Sequence, residues 1–163
     1  MPEQAAEQAR RDRVFLVVVD DSAERAVALR YASLRAAKSG GRVALLRVVE
    51  PVEQVEWAGI GTMMQQERRE EAEALLSGLA AQVRDITGGL PMLILREGRV
   101  ADELLALLDE DPRISILVLA SAIGAKGPGP LITALTGRLA GRLTVPMTIV
   151  PGGMSEQELD RVT

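Results

Sequence analysis

Five short runs of aliphatic residues recur along the chain, separated by longer segments in which apolar and polar positions alternate at helical spacing. Unbroken aliphatic runs of this length are typical of strands that are buried on both faces of a parallel sheet. The alternation predicts an α/β domain with an open, doubly wound sheet of five parallel strands, covered by helices on both faces. The predicted strands span residues 14–20, 42–50, 91–97, 114–120 and 145–150.

The segments between the strands carry helix signals of their own. Ser22 is placed to cap the helix after the first strand, and Gly40 and Gly41 end it. Ser155 and Glu158 have the spacing of a capping box, which predicts a short helix near the end of the chain. The other predicted helices cover residues 62–87, a segment around 100–108, and residues 131–142.

The two ends of the chain differ in character from its middle. Residues 1–13 are polar and are expected to form a flexible tail or a short helix. Residues 14–151 are expected to form the domain, and residues 152–163 a C-terminal tail or short helix. Pro91 opens the third predicted strand, which favours a place at the edge of the sheet because proline cannot donate to the ladder.

Composition narrows the chemistry that this domain can perform. The chain contains neither Cys nor His, which excludes disulfides, thiolate metal sites and Ser-His or Cys-His nucleophiles. We therefore expect no catalytic residue, no metal site and no enzymatic activity. The net charge of −4, without a basic patch, argues against a nucleic-acid partner. The lack of a secretory signal or a long apolar run predicts a cytoplasmic protein without a membrane partner.

Topology predicts where a ligand would bind. If the first and fourth strands are neighbours, the strand order is 3-2-1-4-5, and ligands of such sheets bind where that order reverses. This places Asp20, Asp21 and Ser22 opposite a Gly/Pro-rich loop at residues 121–130. Residues 51–61 open on the same rim. The candidate cofactor-binding residues are Asp20, Ser22, Val48, Ser121, Gly124, Lys126, Gly127 and Gly129.

Each of these features has a functional and a structural interpretation. Glycines let backbone N–H groups approach a phosphate, and Lys126 adds a cation, but the prolines of the loop have no N–H to donate. The alternative is a flexible connection with Pro130 in the first helical turn. Asp20 and Asp21 are suited to a ribose hydroxyl or Mg²⁺, or else they end the strand and cap the next helix. Trp57 either stacks on a base or closes a lid, or else it anchors its own loop by packing.

Three stretches of the chain resemble universal stress proteins. They are VFLVVVDDSAERAVALRYASLRAAKSGGRVALLRVVEP at residues 14–51, REGRVADELLALLDEDPRISILVLAS at residues 96–121, and TVPMTIVPG at residues 144–152. The resemblance implies a Rossmann-like fold of the adenine-nucleotide alpha-hydrolase type. It also implies a homodimer formed through the last strand, Val145–Val150, and, in some members, bound ATP with Mg²⁺.

The ATP-binding members carry the motif Gly-x2-Gly-x9-Gly-Ser/Thr after the fourth strand, and two registers place it on this chain. Spacing alone selects Gly124, Gly127 and Gly137, and Arg138 then replaces the hydroxyl residue. Anchoring on the fourth strand and on Pro146 keeps the element lengths and puts Ala120, Ile123, Thr133 and Ala134 at the motif positions. Asp20 matches the acid that the family carries after the first strand.

Two functions follow as expectations. The first is a non-enzymatic stress-response or signalling module that acts as a homodimer and through protein partners. The alternative is a protein that binds ATP or another nucleotide between the loops after the first and fourth strands.

Overall fold

A parallel sheet organises the molecule. The computed structural model describes residues 1–11, 13–53, 57 and 59–163, and within them five strands form one sheet. The spatial order is the predicted 3-2-1-4-5, and every neighbouring pair is parallel. In chain order the strands are β1 Val14–Val18, β2 Arg42–Val49, β3 Met92–Glu97, β4 Ile114–Ser121 and β5 Met147–Pro151.

Helices cover both faces of this sheet. In chain order the helices are α1 Pro2–Arg11, α2 Arg25–Ser39, α3 Ile60–Thr87, α4 Val100–Glu110, α5 Pro130–Thr136 and α6 Glu156–Val162. The helical residues that pack on the sheet come from α2 to α6. Alternate residues of each strand point to opposite faces, so Phe15 and Val17 pack with α2, α3 and α6, while Leu16 and Val18 pack with α4 and α5. In the described part of the chain, no helix combines the length and the apolarity needed to cross a membrane.

The edge strands are less buried than the centre of the sheet. All five residues of β1 are buried, whereas Leu93 of β3 is 45% exposed and Ile149 of β5 is 40% exposed. Pro91 does precede an edge strand, as predicted. The last strand is displaced from its predicted bounds, because Val145 and Pro146 lie before β5 and Pro151 belongs to it.

Two helix predictions need correction. Ser22 does not cap α2: the helix begins at Arg25 with Glu24 at its N-cap, and no side chain among the described residues makes a capping bond there. Ser22 lies two residues before this N-cap, and its hydroxyl donates to Asp20. The helix predicted over residues 131–142 is also interrupted, because α5 ends at Thr136 and a separate 3₁₀ turn follows at Ala140–Arg142.

The last helix, α6, packs against the rest of the domain. The Ser155 hydroxyl accepts from the Glu158 N–H, and the Glu158 carboxylate accepts from the Ser155 N–H, so α6 begins at a capping box. Leu159 is 1% exposed against α2, and Arg30 of α2 pairs with Asp160 at 2.8 Å. By contrast, residues 2–9 of α1 are exposed throughout.

We expect Leu159→Ala to lower the free energy of unfolding by at least about 2 kcal/mol, because it removes buried methyl groups and leaves a cavity between α6 and α2. Val162→Ala, in the same helix at a half-exposed position, should change it by less than about 0.5 kcal/mol. Urea unfolding of the three proteins measures this difference. Equal stability of the two variants would show that α6 is not part of the cooperative unit.

Candidate functional site

The order of the strands opens a crevice between β1 and β4. The connection that leaves β1 enters α2 on one face of the sheet, and the connection that leaves β4 enters α5 on the other face. Two neighbouring strands whose following segments diverge leave space between them at their carboxyl ends. One wall of the crevice is residues 19–24, and the other is residues 121–129.

The β1 wall is a hydrogen-bonded turn. Asp20 Oδ1 accepts from the Ser22 N–H at 2.9 Å and from the Ser22 hydroxyl at 2.6 Å. Arg25 donates to the backbone carbonyl of Asp20 at 2.8 Å. These bonds hold the Asp20 carboxylate in one position on the rim. The two predicted site residues on this wall therefore form one unit.

Asp21 has a different role from its neighbour. Its Oδ1 lies 2.9 Å from Nη2 of Arg47, whose Nη1 donates to the Val19 carbonyl at 3.1 Å. The guanidinium joins the ends of β1 and β2. Asp21 therefore pairs with a residue of β2, and neither acid caps α2.

The β4 wall is the Gly/Pro loop. Gly124, Gly127 and Gly129 have φ values of +113°, +87° and +112°, which other residues adopt only with strain. Their Cβ positions meet no heavy atom of the described residues within 4 Å. The backbone conformation of the loop therefore requires these glycines, whereas close packing against the described residues does not. The Ala122 N–H closes the loop by donating to the Pro128 carbonyl at 3.0 Å.

Of the other predicted site residues, Ser121 and Lys126 lie on this wall, and the Lys126 side chain is exposed. Val48 of β2 is 8% exposed in the apolar layer that faces α4 and α5. The two walls lie near each other, because both follow the carboxyl ends of neighbouring strands. In the described part of the chain, however, no hydrogen bond or ion pair joins a predicted site residue of one wall to one of the other. A ligand-binding role for the eight residues stays a prediction.

The contact that does cross the crevice comes from Glu24, which the sequence reasoning missed. Its carboxylate accepts from the backbone N–H of Ile123 at 3.3 Å. A Cβ built on Gly152 would lie 2.1 Å from the Ser121 carbonyl oxygen and 2.6 Å from Glu24 Cγ. The Glu24 side chain therefore lies between the start of α2, the loop after β4 and the segment after β5. The only clue to Glu24 in the sequence is that it is an acidic residue at the N-terminus of a helix.

Glu24 is ionised at neutral pH, as an ordinary glutamate is, and its hydrogen bonds stabilise the charged form further. Donation from its own backbone N–H, and then from the Ile123 N–H, lowers the pKa of the Glu24 carboxyl below its usual range. The crevice therefore carries this negative charge at neutral pH. Among the described residues, no group of three or more His, Cys, Asp or Glu side chains is arranged to hold a metal ion.

A second concavity, of about 460 Å³, lies beside β2 and β3. It is lined by Pro51, Val52, Glu53, Gly61, Thr62, Gln65 and Glu97. The predicted loop 51–61 falls partly outside the described residues, since 54–56 and 58 are not among them. Trp57 is 71% exposed, so the prediction that it anchors its loop by packing is wrong.

Known proteins of similar sequence or structure share this architecture. The Universal stress protein family matches residues 13–151, whereas no curated protein matches the chain. The universal stress protein UspA from Lactobacillus plantarum superposes with a TM-score of 0.70 at 14% identity, over 86% of this chain and 98% of that one.

Two similar structures hold nucleotides. A universal stress protein in complex with cAMP has a TM-score of 0.61 and 19% identity, over 86% of this chain and 98% of that one. The universal stress protein from Archaeoglobus fulgidus in complex with dAMP has a TM-score of 0.55 and 18% identity, over 85% of this chain and 97% of that one. At these identities the likeness to solved structures shows the fold alone.

We expect Gly152→Ala to lower the free energy of unfolding by about 1–3 kcal/mol, because the new methyl group meets a backbone carbonyl and the Glu24 stem. Gly153→Ala is the matched control, since the nearest atom to its Cβ position is Ile123 Cδ1 at 3.9 Å. That change should stay within about 0.5 kcal/mol. Thermal or urea unfolding measures both. Equal effects would contradict the close packing of Gly152 against Glu24.

Proposed function

The chain belongs to the universal stress protein family, and from this premise we propose that it is a non-catalytic stress-response module that acts as a homodimer assembled through β5. The observation that carries the proposal is the character of the β5 edge. Its sequence, MTIVP, contains no charged residue, and Ile149 exposes 40% of its surface. An apolar edge strand left open is a template for pairing with another strand.

The opposite edge of the sheet is protected in a different way. β3 ends in Arg96 and Glu97, and Arg96 pairs with Glu110 of α4, while Glu97 pairs with Arg69 of α3. Charged side chains discourage the addition of a further strand. The contrast between the two edges supports β5, and not β3, as the dimer edge.

The composition of the chain supports a role without catalysis. The sequence has no His and no Cys, and the acids of the β1 wall are engaged, Asp20 with Ser22 and Asp21 with Arg47. A protein without its own reaction acts by binding, and we propose that the dimer transmits its signal through a protein partner.

A second function, adenine-nucleotide binding, is favoured by the crevice itself. Asp20 is held at one wall and a loop of positive-φ glycines forms the other, an arrangement suited to a ribose and a phosphate. Universal stress proteins of this fold occur in complex with cAMP and with dAMP. We propose that the ligand contacts Asp20, Ser22, Val48, Ser121, Gly124, Lys126, Gly127 and Gly129.

The described residues do not form a Mg²⁺ site from three or more acidic side chains. Magnesium prefers several oxygen ligands, and among the described residues no cluster of three or more acids could supply them. If ATP is bound with Mg²⁺, the ion would therefore be held largely by the nucleotide phosphates.

We expect the wild-type protein to be a dimer and Ile149→Lys to be a monomer, because the added charge would be buried in the paired edge. Leu93→Lys is the matched control, since Leu93 has similar exposure on the opposite edge. Light scattering after gel filtration gives the mass of each protein. A wild-type monomer, or dissociation by Leu93→Lys alone, would refute pairing through β5.

For the second function, we expect Mg-ATP or AMP to raise the melting temperature by several degrees, since ligand at 100 times its dissociation constant adds about 2.7 kcal/mol. Asp20→Ala should abolish the shift. Asp21→Ala should keep it, because Asp21 is engaged with Arg47. No shift of the wild-type protein at millimolar nucleotide would remove this function.

A further inference from the structure

Glu24 occupies a backbone donor of the crevice that a ligand anion would otherwise use. At the beginning of the β4 wall, the Ala122 N–H is consumed inside the loop by the Pro128 carbonyl. The next N–H, of Ile123, is donated to the Glu24 carboxylate at 3.3 Å. Backbone N–H groups on irregular loops are the groups that bind phosphate and carboxylate anions. Here a carboxylate of the protein itself takes that place.

Glu24 changes the β4 wall in two ways. Pro128 and Pro130 have no N–H, and the N–H groups of Gly124 to Gly127 and of Gly129 follow that of Ile123 along the loop. Glu24 withdraws the Ile123 N–H from this set. It also adds a negative charge at the same point, beside any phosphate that the other N–H groups bind.

Packing fixes the Glu24 side chain at this point. The Cβ position of Gly152 lies 2.6 Å from Glu24 Cγ, so the stem of the side chain fills the space beside the segment that follows β5. A side chain held on one side by packing and at its tip by a hydrogen bond is a persistent part of the crevice.

We propose that Glu24 is a specificity-determining residue that competes with the phosphate groups of a nucleotide, so that the crevice favours ligands of low phosphate charge, a nucleoside or a nucleoside monophosphate, over a triphosphate. The proposal rests on the proposed nucleotide function. It assigns to that site a ligand class and to Glu24 the role of an internal anion. Each added phosphate must either displace the carboxylate or lie beside it, and both cost binding free energy.

The test is calorimetric titration of adenosine, AMP and ATP, the last with Mg²⁺, into the wild-type protein, Glu24→Gln and Glu24→Ala. Glutamine keeps the size of the side chain and an oxygen acceptor but removes the charge, whereas alanine also frees the Ile123 N–H. We expect wild type to bind AMP more tightly than ATP. Both variants should bind ATP more tightly. Glu24→Gln gains through the lost charge alone, whereas Glu24→Ala should gain about fivefold or more, the factor that corresponds to one net hydrogen bond. Adenosine affinity should not change.

Asp85→Asn is the matched control, because it removes one carboxylate from the last turns of α3, which precede β3 and so lie at the opposite end of the sheet. Its affinity for ATP should equal that of wild type; a gain equal to that of Glu24→Gln would reduce the effect to net charge and overturn the proposal. If wild type binds nucleotide and the Glu24 variants bind ATP with unchanged affinity, the proposal fails and the nucleotide function stands. If no protein binds any of the three ligands, both fail.

Discussion

The burial of β1 on both faces and along both edges is the constraint on which the rest of the structure depends. A parallel strand in this position exposes no polar backbone to water only if strands flank it and helices cover it on each side. β2 and β4 supply the edges, and α2 and α4 belong to the layers that cover the faces. Because the chain leaves β1 and β4 toward opposite faces, the crevice is a direct consequence of this burial.

The two outer strands, β3 and β5, each have one edge that no neighbouring strand of this sheet covers. The two edges differ in their side chains. β3 ends in charged residues that pair with α3 and α4, so its edge is covered by side chains of its own chain. β5 ends in Val150 and Pro151 and has no such pairs among the described residues. α6 follows at once and packs over α2 instead of along the edge of β5. The β3 edge of the sheet is thus covered by charged side chains, whereas no described residue covers the β5 edge in this way.

The sequence predicted the sheet well because strand identity is a local property. Runs such as VFLVVV and ISILVLA are apolar at all or nearly all positions, and the turns between elements are marked by glycine and proline. Errors arose where two local rules compete. Ser22 has the chemistry of a helix cap, but the helix begins with Glu24 at its N-cap, and Ser22 forms a turn with Asp20 instead. Similarly, apolar spacing favoured one helix through Gly137, where the chain in fact turns.

The candidate site was less predictable because its central contact is not local. Glu24 and Ile123 are separated by 99 positions, and no periodicity or motif links a helix-start acid to one particular N–H of a distant loop. Only the strand order, which places β1 beside β4, makes such a contact available.

The third participant, Gly152, extends this contact to β5. It follows Pro151 directly, and its backbone leaves no space for a Cβ beside Ser121 and Glu24. The crevice and the open edge of the sheet therefore share one short segment of chain. A displacement of Glu24 would change the space beside Gly152, and a change in the position of β5 would alter the support of Glu24. Any free energy that links the two sites acts equally in both directions. In the described part of the chain, the side chain that links the crevice to the segment after β5 is thus Glu24, packed against Gly152.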